Sequence, residues 1–244
     1  MVESAWTGLH AMLWPFGFVP SPPVMRKITG TGPAPADQQD QDALIILVHG
    51  LVDNGSIFTI LRRALRRRGF SRVMSMNYSL LTNDVPTAAA NLGDYLEELC
   101  AATGDTKVRL VCHSLGGLIA RYYIQRLGGD SRIEVLVTLG SPHQGTQLAR
   151  FVPLRLAEQL RPGSDLLGEL DRPVARCGTR MVAIYSPMDE VVVPGRNARI
   201  DHPDLGALNV PVPAVGHQSL PVHPRVIDTV CEALTTGRTI RKAA

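Results

Sequence analysis

Four short apolar runs limit what this chain can fold into. ALIILVHG (Ala43 to Gly50), KVRLVCH (Lys107 to His113), IEVLVTLGS (Ile133 to Ser141) and RMVAIYSPM (Arg180 to Met188) are nearly continuous in apolar residues and do not alternate with polar ones. A strand of that kind has both faces covered, as in a parallel sheet flanked by helices. Segments of helical spacing lie between them. SIFTILRRALRRRGF sets Ile57, Ile60, Leu61, Ala64 and Leu65 on one face and stops at Gly69, while Pro86 to Thr103 and LGGLIARYYIQRL read as two further helices. Ser71 to Ser79 adds a strand, Ala207 to Val212 a last short one, and Val222 to Leu234 a closing helix. The alternation predicts βαβ units, a mostly parallel sheet with helices on both faces, and right-handed crossovers.

At 244 residues the chain is long enough for one such α/β domain with a large core. Its net charge of +3 is mild, and the basic residues form no stripe of the kind a nucleic-acid binder needs. Cys100, Cys112, Cys177 and Cys231 are widely spaced with no C-x-x-C pair. That pattern argues against a zinc site, and it allows a disulfide without making a disulfide scaffold. No metal or organic cofactor is expected. TGTGPAPADQQDQD (Thr29 to Asp42) reads as a linker, so residues 1–42 are taken as an N-terminal extension and 43–244 as the α/β domain. The apolar run Ala11 to Pro20 has no basic residues before it and is too short and proline-broken to span a bilayer. It reads as a segment packed on the domain, with contact to a lipid surface and a degenerate export signal as the alternatives. Without a clear signal or spanning helix, a cytoplasmic location is slightly favoured.

One stretch breaks the rhythm. Pro142 to Arg176 is helix-forming but interrupted by Pro153, Pro162, Gly163 and Gly168, just beyond a strand end. Ligands bind at the carboxyl edge of open α/β sheets, so residues 142–176 read as a small helical cap or lid over that edge.

The chemistry concentrates in VRLVCHSLGG (Val108 to Gly117), a strand, a tight turn and a helix start. A nucleophilic serine must stand clear of the sheet on a strained turn, and the crowding helix demands small residues two before and two after it. Cys112 and Gly116 hold those places around Ser114, and Gly117 allows a still closer approach. The pattern departs from G-x-S-x-G because Cys112 stands where the first glycine would be; cysteine is small enough for a packed site. Cys112 as nucleophile is the lesser alternative, because its side chain falls under the turn. His113 adjoins Ser114 but points away from it, so it lines the pocket or holds the turn. The helix start offers unpaired N–H groups and a positive dipole end beside the serine.

Four blocks in order, ALIILVHGL, VCHSLGGLIARYY, VTLGSPHQGT and SPMDEVVVP, resemble α/β-hydrolase-fold lipases and esterases of the bacterial triacylglycerol lipase type. The resemblance runs from about Ala43 to the C-terminus. It implies an α/β-hydrolase fold and an oxyanion hole built from two backbone N–H groups, that of Leu115 and that of Leu51 in the H-G-L loop. Asp53 and Asn54 are expected to shape that loop. In this fold the triad runs Ser, Asp or Glu, His along the chain. His217, in a loop before the closing helix, is the expected base, with His223 and His202 as rivals. Asp189, 28 residues earlier and after a strand, is the expected acid. Glu190 is its neighbour and competitor, whereas Asp165 comes too early and Asp201 and Asp204 read as surface or cap charges. His143 either lines an acyl pocket or shapes its loop.

These readings converge on a serine hydrolase that cleaves carboxylic esters through an acyl-enzyme on Ser114. An acyltransferase using the same acyl-enzyme and a non-catalytic lipid- or partner-binding module are the alternatives. The implied partner is a small-molecule ester or lipid. Arg62, Arg63, Arg66, Arg67 and Arg68 form a basic helix face that reads as a solvated surface, with attraction to anionic headgroups as the second reading.

Overall fold

Successive side chains leave opposite faces of a strand, and here each face enters its own core. The computed structural model describes residues 40–51, 54–76 and 84–235. The readings of Ala11 to Pro20, of most of the linker, of Asp53 and of residues 77–79 lie outside them. Strand β1 (Ile45–Val48) sends Ile46 and Val48 into one core and Ile45 and Leu47 into the other. In β3 (Val108–His113), Leu110 and Cys112 face the first core and Val111 the second. Strands β4 (Ile133–Leu139) and β5 (Arg180–Tyr185) divide the same way. That two-sided burial explains why these strands read as continuous apolar runs.

With β2 (Val73–Met76) and β6 (Leu208–Pro211) the strands form a six-stranded sheet in the order β2-β1-β3-β4-β5-β6. Every pairing is parallel. The chain winds outward from β1 first to β2, then returns to β3 on the other side, so the winding direction switches between β1 and β3. Helices α2 (Val85–Thr103) and α3 (Leu115–Arg126) cover the first face. On the second lie α1 (Thr59–Arg67) and, at the chain's end, α6 (Pro224–Leu234). This is the doubly wound arrangement the sequence predicts.

Local differences have local causes. The expected first helix begins as a 3-10 turn at Gly55–Phe58, because the buried Asn54 side chain accepts the Ser56 N–H at 3.0 Å before α1 takes over. Helix α2 starts at Val85, capped by Asp84, and ends on left-handed Gly104. All four cysteines are free thiols. Residues 142–176 contain a 3-10 turn (Gln147–Phe151) and the short helices α4 (Arg155–Gln159) and α5 (Asp165–Leu170). Leu156, Leu160, Leu166, Leu167 and Leu170 sink into the first core, so this segment packs onto the domain.

At the opposite, amino edge of the sheet, Arg109 is 3% exposed within β3. Its guanidinium meets Asp40 at 2.9 Å and Glu134 at 2.7 Å, and donates to the Leu234 carbonyl at the end of α6. One side chain thus ties the start of the described domain to its last helix. Removing one member of a buried ionic cluster strands the others. Arg109→Ala is therefore expected to lower unfolding stability by about 3–5 kcal/mol in urea titrations. A loss of well under 1 kcal/mol would show that Arg109 does not join these elements.

Candidate active site

The strand β3 ends where the chain must turn into α3 within one residue. Ser114 makes that turn at φ 53°, ψ −126°, a left-handed conformation that non-glycine residues rarely hold. Its N–H donates to the Leu139 carbonyl at 2.9 Å, tying the turn to the end of β4. The following helix then runs hard against the sheet. A Cβ on Gly116 would lie 2.6 Å from the carbonyl oxygens of both Val48 and His49, and one on Gly117 would lie 2.1 Å from Ser141 Oγ. Both glycines are therefore steric necessities at the end of β1 and the edge of β4.

Cys112 is fully buried in the first core, and burial pushes its thiol far above the ordinary range. It is a packed side chain under the turn and not an accessible thiolate. Leu115 is buried in the same core, and Leu51 packs against it. Because α3 abuts the Val48 and His49 carbonyls, the residues following β1 and the first turn of α3 sit at one corner. The first N–H groups of a helix have no intrahelical acceptor.

Asp189 and His217 are brought together from the loops after β5 and β6. The His217 Nδ1 lies 2.8 Å from Asp189 Oδ2 and 3.1 Å from Oδ1. The carboxylate is itself fixed, since Oδ1 also accepts the N–H groups of Val191 and Val192 at 2.8 Å each. Burial acts to raise the Asp189 pKa, but the His217 hydrogen bond, its charge and the two amides outweigh this, and the carboxyl sits below the usual range. An ionised acceptor at Nδ1 makes that nitrogen the protonated one and leaves Nε2 with a lone pair. Gly140, at φ 56°, leaves room for the pair: a Cβ there would stand 3.0 Å from Asp189 Oδ2 and 3.2 Å from His217 Nδ1.

The link back to the turn is His113. Its ring faces that of His217 with centroids 4.8 Å apart, and its Nε2 lies 3.1 Å from the His217 carbonyl oxygen. Ser114, Asp189 and His217 therefore share the carboxyl edge of the sheet. The other candidates make different contacts. Glu190 accepts the main-chain N–H of His217 and not its ring. His223 is the residue before α6, and His202 bonds the Arg172 carbonyl at 3.1 Å. Asp201 accepts from Arg199 and Gln144, and Asp204 from the Val174 N–H.

His143 is a loop-shaping residue. It is 1% exposed, its Nε2 lies 3.0 Å from Thr138 Oγ1, and its carbonyl accepts from Arg121 Nη1 at 3.1 Å. The buried Arg121 also donates to the Leu170 carbonyl at 3.2 Å, so it holds both ends of the segment between β4 and β5. Nothing in the sequence marks Arg121 or Glu190 for these tasks, because both act on main-chain groups.

Burial, and then the Arg121 charge, hold the His143 pKa well below its ordinary value. An unfolded chain takes up this proton near pH 6.5 while the folded chain refuses it. The residue therefore costs no stability above about pH 6.5 and progressively more below it. The Tm is expected to fall between about pH 6.5 and 5, and His143→Gln should flatten that decline. An identical slope in the variant would remove His143 as its source.

Comparisons with known proteins agree with this architecture. The model of the Palmitoyl protein thioesterase family matches residues 44–172, more than half of the chain. Triacylglycerol lipases of Pseudarthrobacter phenanthrenivorans and Burkholderia plantarii are each 30% identical over 115 residues, covering 44% of this chain. The chain spans about a third of the length of these curated relatives, 35% and 32%. Among solved structures, Aspergillus fumigatus lipase B superposes with a TM-score of 0.70 at 16% identity, over 92% of this chain and 64% of that one. The mature form of Bacillus licheniformis lipase BlEst2 gives 0.69 at 18% identity, over 84% and 95%. At such identities the likeness speaks for the fold, which is that of the α/β-hydrolases. The chain belongs to the Palmitoyl protein thioesterase family.

Proposed function

We propose that this protein is a serine hydrolase of acyl esters, with Ser114 as nucleophile, His217 as base and Asp189 as the acid that orients it. The observation that carries the reading is the strained Ser114 at the tip of β3, one residue from the His113 ring that packs on the Asp189-bound His217. Strain at a serine between a buried strand and a helix start is the cost of presenting its hydroxyl clear of the sheet. The Nε2 lone pair of His217 takes the Ser114 proton as Oγ attacks the acyl carbonyl. Asp189 stays ionised throughout, keeping the proton on Nδ1 and stabilising the imidazolium. The N–H groups of Leu115 and Leu51 hold the oxyanion, a service worth several kcal/mol in such sites. Collapse gives the acyl-enzyme, His217 returns the proton to the leaving group, and water activated by His217 completes hydrolysis.

The substrate side rests on apolar surface. Phe151 is 82% exposed and Met188 72%, and Leu148, Leu154 and Val191 are exposed as well. They belong to two segments stitched together, since Thr146 Oγ1 donates to the Val191 carbonyl and accepts the Val193 N–H, and Gln147 N–H donates to the Val193 carbonyl. One of these segments carries Asp189. An apolar rim so near the acid loop suits an ester with an apolar acyl chain, met at a lipid or micellar surface. Residues 142–176 act as its cap. The names of the family and of the lipase relatives fit the same acyl-enzyme, which forms from thioesters with loss of a thiol and from oxygen esters with loss of an alcohol.

A fluorophosphonate probe tests the nucleophile. The folded protein is expected to be labelled at Ser114, and Ser114→Ala to lose labelling and about four to six orders of magnitude in kcat. Labelling that survives the substitution would identify another nucleophile. Phe151→Asp is expected to lower hydrolysis of long-chain micellar esters by about tenfold or more, as loss of a phenylalanine contact worth about 1.5–3 kcal/mol requires. An equal loss on short soluble esters would assign Phe151 to folding and not to substrate.

A further inference from the structure

The loop after β5 touches the His217 loop through two consecutive side chains. Asp189 takes the imidazole, and Glu190 takes the main chain: the His217 N–H donates to Glu190 Oε1 at 3.0 Å and Oε2 at 3.2 Å. The His217 carbonyl is held from the other side by His113 Nε2 at 3.1 Å. The histidine is thus gripped at its amide, its carbonyl and its ring. Neither the amide nor the carbonyl contact is part of the proton-transfer chain.

The Glu190 contact is unlike an ordinary surface charge. Glu190 is an exposed residue, so its carboxylate could lie in water, yet both oxygens turn inward to one amide at the edge of the site. A bifurcated acceptor centres the amide between two oxygens and resists sliding in either direction. His217 opens a 3-10 turn, His217–Ser219, whose first N–H groups lack partners within the turn. Glu190 supplies one.

We propose that Glu190 is a positioning residue: it anchors the His217 main chain so that the imidazole keeps its reach to Ser114. This rests on the acyl-enzyme reading given above. The charged and titratable groups facing His217 are Asp189 at the ring, Glu190 at the amide and His113 across the ring face. Of these, Glu190 alone can lose its charge and still keep a carbonyl acceptor for the amide, by replacement with glutamine.

The test compares wild type, Glu190→Ala and Glu190→Gln by kcat and KM, with Tm as a check on folding. Displacing a catalytic group by a fraction of an ångström to an ångström costs up to about a hundredfold. Glu190→Ala is expected to lose about ten- to a hundredfold in kcat with KM within about threefold of wild type and Tm little changed. Glu190→Gln should recover most of that loss, because the amide acceptor is restored. The proposal is overturned if Glu190→Ala keeps wild-type kcat, or if alanine and glutamine are equally impaired. Wild-type labelling at Ser114 separates the two levels. A labelled wild type with an unimpaired Glu190→Ala sinks the positioning role alone, whereas an unlabelled wild type sinks the hydrolase reading and this inference together.

Discussion

Nothing larger than hydrogen fits on the α-carbon of Gly116. The carbonyl oxygens of Val48 and His49 stand 2.6 Å from where a Cβ would be, and a methyl group there would have to lever α3 off the sheet. That contact sets the distance between the first turn of α3 and the end of β1. Because of it, the chain has a single residue in which to change direction, and Ser114 takes up the strain. The same approach puts the start of α3 beside the loop after β1. The strained backbone of Ser114 and the close seat of α3 on the end of β1 are two results of one steric fact.

Around that corner, polar groups are satisfied in a definite hierarchy. Asp189 spends one oxygen on two amides of its own loop and shares both oxygens with the His217 ring, so the carboxylate cannot rotate away. Burial alone would favour a neutral carboxyl, and the three hydrogen-bond donors reverse this. Cys112 shows the opposite balance. With no compensating donor in its core, burial wins and the thiol stays protonated. Two potential nucleophiles two residues apart are thus told apart by environment, since the pleat of β3 sends Cys112 into the helix-covered core and the chain turn after the strand lifts Ser114 out of it.

The sheet was legible in the sequence because two-sided burial leaves an unbroken apolar signature, and the chain order of serine, acid and histidine loops narrowed the site to few residues. Ends of elements were less so. The 3-10 turn at Gly55–Phe58 depends on Asn54 reaching the Ser56 amide, a choice that apolar periodicity does not encode. The roles of Glu190, His113 and Arg121 were hidden for a common reason. Each side chain binds main-chain groups, and a sequence names side chains but is silent on which amides and carbonyls face them. Asp189 was separable from Glu190 by alignment with a familiar block, but the division of labour between them, ring against backbone, required coordinates.

Main-chain recognition recurs on α3. Arg121 donates to the carbonyls of His143 and Leu170, Gln125 to that of Leu170 at 3.0 Å, and Arg126 to that of Arg172 at 2.8 Å. The helix that carries the serine turn therefore clasps the overlying segment by its peptide groups. Every residue type offers the same carbonyl, so the clasp is indifferent to what side chains the segment displays. Attachment and surface chemistry are uncoupled: the exposed face of residues 147–154 can be rewritten in evolution or in the laboratory while the joint beneath it keeps its geometry.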